Sequence, residues 1–189
     1  MSDTASTTVK SAFSPLQLQN GSAALRFGAI VAGTLVLALS SYISVPMIPV
    51  PMTMQTLAVT MIGALYGWRL GAATIVAWLI ESAMGMPVLA GGMGGLHLFV
   101  GPTAGYLFAF PLAGALTGWL AERGWNGEHV VLAFAAMLLG NALCLALGAA
   151  WLAVLVGAEK AIVLGVVPFA IGGVVKSVLG AATLKALAR

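Results

Sequence analysis

Charge is what this sequence has least of. Eight Lys and Arg and five Asp and Glu make up 7% of 189 residues, whereas 61% are hydrophobic. A water-soluble domain carries about a quarter charged residues, so this chain cannot face water on every side. Lipid is the environment in which an apolar surface is stable, provided that backbone groups pair internally. Long apolar runs without polar alternation exclude an outer-membrane barrel and leave helices. There is no basic cluster of the kind that binds nucleic acid, which excludes that partner. The single cysteine, Cys144, lies in an apolar stretch, forms no internal disulfide, and reads as an inert core or lipid-facing residue. His97 and His129 have no second ligand nearby, so no metal site is expected. Without a phosphate loop, a serine–histidine pair or paired carboxylates, the chain is neither an enzyme nor able to use ATP itself.

What is abundant is apolar sequence in windows long enough to cross a bilayer. Phe27 to Ser44 is the first, closed by three prolines within Pro46-Met47-Ile48-Pro49-Val50-Pro51, which cannot continue a helix. Met52 to Tyr66 and Leu70 to Met86 follow, separated by Gly67-Trp68-Arg69; Pro87 ends the latter. After the loop Gly91-Gly92-Met93-Gly94-Gly95 come Thr103 to Leu120, Val130 to Val156 and Ala161 to Leu184. The expected fold is all-α, with six transmembrane helices in one domain over residues 23–189, after a flexible tail over residues 1–22. No internal repeat or inverted duplication is visible. With six crossings, Lys10, Arg26, Arg69, Arg123, Lys185 and Arg189 fall on one side and only Lys160 on the other. The positive-inside rule makes both termini cytoplasmic and turns the proline and glycine loops outward.

Two ionisable residues lie inside these windows, Glu81 and Lys176. A charge at membrane depth costs a few kcal/mol and usually faces a cavity or a partner. Counted from Pro168, Lys176 lies roughly 12 Å below the outer end, and counted back from Pro87, Glu81 roughly 9 Å, at 1.5 Å per residue. Pairing between them is therefore expected to be geometrically open. After the proline segment, Thr53 is placed to cap the second helix, with Gln55 one turn in. Gly101-Pro102-Thr103 opens the fourth window, and its free amides suit an anion or a carbonyl. Asn141 is a further amide that lipid penalises. Together they describe an outward pocket for a small, mostly neutral solute with polar and apolar parts. On the first helix, Gly28, Ala32, Ala29 and Gly33 are small residues at fourfold spacing, which let another helix approach closely.

Several strings resemble one family. Pro49-Val-Pro-Met-Thr-Met-Gln55 looks like the PVPxTxQ segment of the BioY biotin transporters. Gly67-Trp-Arg-Leu-Gly71, Gly85-Met-Pro-Val88, Gly91-Gly92, Gly94-Gly95 and Gly101-Pro-Thr-Ala-Gly-Tyr106 follow in that family's order. Gly140-Asn141, Trp151-Leu152, Pro168-Phe169 and Lys176 continue it, so that the likeness spans roughly residues 27 to 185. It implies the fold of an S component of an energy-coupling-factor transporter, in the cytoplasmic membrane. It also implies a biotin site on the outer side, and as partners a membrane coupling protein with two ATPases, or self-association. No cofactor is implied; ATP would enter only through partner subunits. The residue reading and the resemblance together give as expected site residues Thr53, Gln55, Trp78, Glu81, Gly91, Gly92, Gly101, Pro102, Thr103, Tyr106, Asn141 and Lys176, with Trp78 and Tyr106 as the aromatic wall. This chain departs from the family's usual residues at four positions. Gly173 stands in place of an aspartate, Trp78 and Leu145 in place of tyrosines, and Glu81 in place of an apolar residue. The lost and gained acids suggest that an acid has moved to the third helix.

Two other readings stay open at this level: an S component for another small vitamin, or a structural membrane protein without a ligand. If biotin is the ligand, the proline and glycine loops should be mobile when the site is empty and protected from hydrogen exchange when biotin is bound. Equal protection in both states would exclude loop closure.

Overall fold

The computed structural model describes Leu18 and residues 21–188, so most of the expected N-terminal tail lies outside the described residues. Ser22 starts the first helix by accepting a hydrogen bond from the Leu25 amide (3.3 Å), as an N-cap serine does. Helix α1 spans Ala23–Tyr42. The proline segment that follows folds into a small hairpin, with β1 (Ser44–Val45) antiparallel to β2 (Met52–Thr53). Helix α2 spans Gln55–Ala83. A loop with two 3₁₀ turns, Ala90–Gly92 and Leu96–Phe99, leads to α3 (Ala104–Glu122) and then α4 (Val130–Val156). A short α5 (Ala158–Gly165) precedes α6 (Val167–Leu187). Among the described residues five helical runs are long and apolar enough to cross a membrane, the last being α5 and α6 together.

Helix α2 is not one straight rod. Gly67 has φ 78° and ψ 169°, a conformation that only glycine adopts without strain. A Cβ on Gly71 would sit 3.0 Å from the Gly63 Cα. Along a continuous helix those two residues would be about 12 Å apart. The chain therefore doubles back, and residues 55–66 run antiparallel to residues 68–83. The amide of Trp68, at the start of the second half, donates to Glu122 Oε1 of α3 (3.1 Å). A carboxylate at a helix N-terminus satisfies an orphan amide and complements the helix dipole.

Helix α3 is the centre of the bundle, buried against both halves of α2 and against α4. Gly63 makes this possible: a side chain there would run into the Gly114 backbone. Around α3 lies a core of Leu37, Val59, Ile75, Trp78, Phe110 and Leu152. The perimeter is apolar as well, with Phe27, Leu39, Ile171 and Val175 exposed, the surface a bilayer covers. At one end of the bundle Arg69 lies over the Trp68 ring and Arg123 over the Trp119 ring (4.9 and 3.5 Å to the centroids), a pattern typical of a membrane–water boundary.

Three expectations need correction. The third window ends at Ala83 instead of Met86, because Gly85 (φ 93°) turns the chain away. The last window is two helices, broken at Val166 with Pro168 in the first turn of α6. Of the small residues on α1, Ala29 and Gly33 face this chain and not a partner. Tyr66 donates to the Ala29 carbonyl (3.0 Å), and Gly33 packs on Thr74 and Tyr66. Gly28 and Ala32 face outward.

This packing gives a paired test. Gly63→Val should lower stability by about 1–3 kcal/mol, the usual cost of overpacking. Gly28→Ala, where nothing lies within 4 Å, should leave stability unchanged or raise it. Thermal unfolding in one detergent measures both; equal losses would contradict the close approach of α2 and α3.

Candidate binding site

The site begins at the hairpin. Thr53 Oγ1 accepts from the Gln55 amide (3.3 Å) and donates to Gln55 Oε1 (2.8 Å). The N-cap itself is Met54, so Thr53 orients the first helical residue and does not cap the helix. With its oxygen held, the Gln55 amide points Nε2 the other way. That nitrogen is buried and has no hydrogen-bond partner among the described residues. A buried donor left in this state is unstable unless something binds it.

Lys176 approaches from α6. Nine residues after Val167 it lies about 13 Å along the helix, too deep to reach water by extension. It is 7% exposed. Its ammonium donates to the Thr53 carbonyl (2.7 Å) and to Thr56 Oγ1 (3.0 Å). An ammonium has three hydrogens, so one remains for a ligand. The expected pairing with Glu81 does not occur. Glu81 is two residues from the end of α2 at Ala83, about 3 Å from the helix terminus, whereas Lys176 is deep. Among the described residues no carboxylate bonds to Lys176.

A third polar group comes from α4. Asn141 Nδ2 donates to the Met137 carbonyl (3.0 Å) and to Ser177 Oγ (3.2 Å), and Ser177 donates onward to the Gly173 carbonyl (2.8 Å). This holds α4 to α6 and leaves Asn141 Oδ1 as an open acceptor. Tyr106 on α3 donates to the Gly165 carbonyl (2.9 Å) and stacks on Phe169 with ring centroids 6.1 Å apart. Gly148 of α4 makes room for its ring. One aromatic side chain thus joins α3, α4, α5 and α6.

These groups line a cleft of about 570 Å³, counting the part open to solvent. Thr53, Gln55, Thr103, Tyr106 and Lys176 lie on its wall, and Asn141 lies on an adjoining lobe that shares Tyr106 and Lys176. The other expected residues stand behind it. Trp78 is fully buried, stacked on Phe110 (5.8 Å) and donating to the Val88 carbonyl (3.1 Å), and Phe110 in turn lines the cleft. Gly91 and Gly92 shape the loop, but its wall comes from Leu89, Ala90 and Met93. Gly101 accepts from Trp151 Nε1 (2.9 Å), and neither it nor Pro102 reaches the cleft. At the start of α3 the amides of Ala104 and Tyr106 are taken by the carbonyls of Gly101 and Thr103. Thr56, Phe110 and Phe169 were not foreseen as site residues. Thr56 carried the clearest signal, a hydroxyl in an apolar run one residue from Gln55.

The chemistry is recognition and not catalysis. A cation with one free hydrogen, an unpaired amide donor and an amide acceptor stand on otherwise apolar and aromatic walls. Such a site fits a small amphiphile with a carboxylate or carbonyl group and an apolar body.

Known proteins agree with this architecture. A biotin transporter BioY of Rhizobium etli is 39% identical over 162 residues, covering 82% of this chain and 85% of that protein. A biotin transporter BioY of Rhodobacter capsulatus is 49% identical over 84 residues, 42% of this chain and 44% of that one. The crystal structure at 2.1 Å of an S-component for biotin from an ECF-type ABC transporter superposes with a TM-score of 0.68. It covers 88% of this chain and 94% of its own at 23% identity, a likeness of fold. The sequence profile of the BioY family matches residues 13–189, and this multi-pass membrane protein belongs to that family.

Proposed function

We infer that the protein takes up biotin across the cytoplasmic membrane, as the substrate-binding S component of an energy-coupling-factor transporter. The observation that carries this reading is the buried Lys176 ammonium, held by neutral oxygens and lining the same largely apolar cleft as the unpaired Gln55 amide. Biotin has the matching parts: a carboxylate, a cyclic urea that both donates and accepts, and an aliphatic chain. The relatives named as biotin transporters point to the same ligand.

The two halves of α2 count as separate crossings in this reading, giving six. The Arg69 and Arg123 end faces the cytoplasm with both termini, and the cleft opens outward. Binding alone moves nothing across a membrane, so a membrane coupling protein and its ATPases supply the energy, and no cofactor is needed. The outward row of Gly28 and Ala32 on α1 is where that coupling protein packs.

Titration of purified protein with radiolabelled biotin tests the assignment; no saturable binding would exclude it. Lys176→Met should weaken binding about 10-fold or more, the worth of a hydrogen bond to a charged group. Gln55→Met should weaken it less, by about 3–10-fold. Glu81→Gln, at a residue that does not line the cleft, should leave the Kd unchanged. A large effect of Glu81→Gln with a silent Lys176→Met would overturn the placement of the site.

A further inference from the structure

Two loops contribute walls to the cleft, and both are fastened at one place outside it, the C-terminal turn of α1. Only Gly33, Thr34, Leu37 and Ser41 of this helix are buried, and Ser41 is the last of them. Its Oγ lies 2.9 Å from the Val88 carbonyl oxygen and 2.6 Å from that of Ala38, so one hydrogen is shared between the loop and its own helix. The Trp78 indole, from the second half of α2, donates to the same Val88 oxygen (3.1 Å), so both of its lone pairs are engaged. One residue along, the Tyr42 hydroxyl donates to the Pro87 carbonyl, and its ring packs on Gly92. After Val88 come Leu89, Ala90 and Met93, the residues of this loop that line the cleft. Leu89 carries Met93 with it, because its amide donates to the Met93 carbonyl (3.0 Å). The hairpin is tied to the same turn: the Ile43 carbonyl accepts from the Met54 amide (3.0 Å), and Ser44 pairs with Thr53. Neither Ser41 nor Tyr42 lines the cleft itself.

We propose that Ser41 and Tyr42 are positioning residues, which fix the cleft wall of residues 89–93 against α1 and so set how long a bound ligand stays. A loop that turns on Gly91 and Gly92, both at positive φ, has little rigidity of its own. Its side chains add to binding only when the backbone is already held, since ordering a loop at the moment of binding costs affinity. The carbonyls of Pro87 and Val88 are where it is held, and three donors from two helices meet there. The glycines beyond this anchor remain free to close. Removing one donor leaves every wall residue in place but lets the wall swing away from the ligand, which is read as faster release. The proposal extends the biotin reading, and its kinetic test rests on that reading.

Ser41→Ala and Tyr42→Phe each remove one hydroxyl and test the proposal on the detergent-purified protein. Tyr66→Phe is the control, because it removes a like bond from α1 at the Ala29 carbonyl, away from the loop. Biotin should leave Ser41→Ala and Tyr42→Phe about 2–10-fold faster than the wild type, with the association rate unchanged. Tyr66→Phe should release it at the wild-type rate. In the empty protein, hydrogen exchange over residues 86–90 should quicken in the first two variants and not in the control. Equal dissociation rates throughout, an affinity loss carried by association alone, or an equal effect of Tyr66→Phe would each overturn the proposal. A wild type that binds no biotin would remove the biotin reading. Exchange over residues 86–90 then decides this one, and equal exchange in the variants and the control overturns it.

Discussion

The Lys176 ammonium, held by the Thr53 carbonyl and Thr56 Oγ1, is the contact on which the rest of the site depends. It joins α6, near the C-terminal end of the chain, to the hairpin and the first turn of α2. A lysine at bilayer depth is tolerated only when its donors are met inside the protein, at a cost of about 2.5–3.5 kcal/mol otherwise. Two neutral oxygens meet two of the three hydrogens and leave the charge uncompensated. The same contact that secures α6 therefore creates an anion-seeking point inside an apolar cleft. Thr53 serves twice, because its hydroxyl also orients the Gln55 amide. Stability and ligand chemistry are thus set by one small group of residues.

Close helix packing gives this arrangement its shape. Gly63 lets α2 touch α3, and Gly148 lets the Tyr106 ring lie against α4, so that its hydroxyl reaches Gly165. In lipid, apolar burial provides little drive between helices, and close van der Waals packing with a few interhelical hydrogen bonds takes its place. Asn141 with Ser177, and Tyr106 with Gly165, are bonds of that kind.

The fate of Glu81 and Lys176 shows how a one-dimensional reading succeeds and fails. Both were singled out because ionisable residues are rare in apolar runs. Depth along Lys176's own helix was readable, since Pro168 does lie in the first turn of α6. Depth for Glu81 was misread, because Pro87 was taken as the helix end, whereas the helix stops at Ala83 ahead of the turn at Gly85. That difference moves Glu81 toward the helix terminus and removes the pairing. Trp78 illustrates a different limit: an aromatic residue in a span reads equally well as ligand wall or core, and here it supports Phe110 from behind.

Composition and hydropathy alone determined that this is a helical membrane protein, because the other fold that hides its backbone in lipid, the β-barrel, needs alternating strands that these apolar runs do not offer. The same one-dimensional signals located the break at Gly67, the α4 boundaries and the polar residues Thr53, Gln55, Asn141 and Lys176. Which face of each helix turns inward was decided only by the tertiary structure. With apolar residues all around each span, there is no amphipathic stripe to record rotation. Hence the inward turn of Ala29 and Gly33 and the choice of Thr56 as partner of Lys176 emerged from packing and not from pattern.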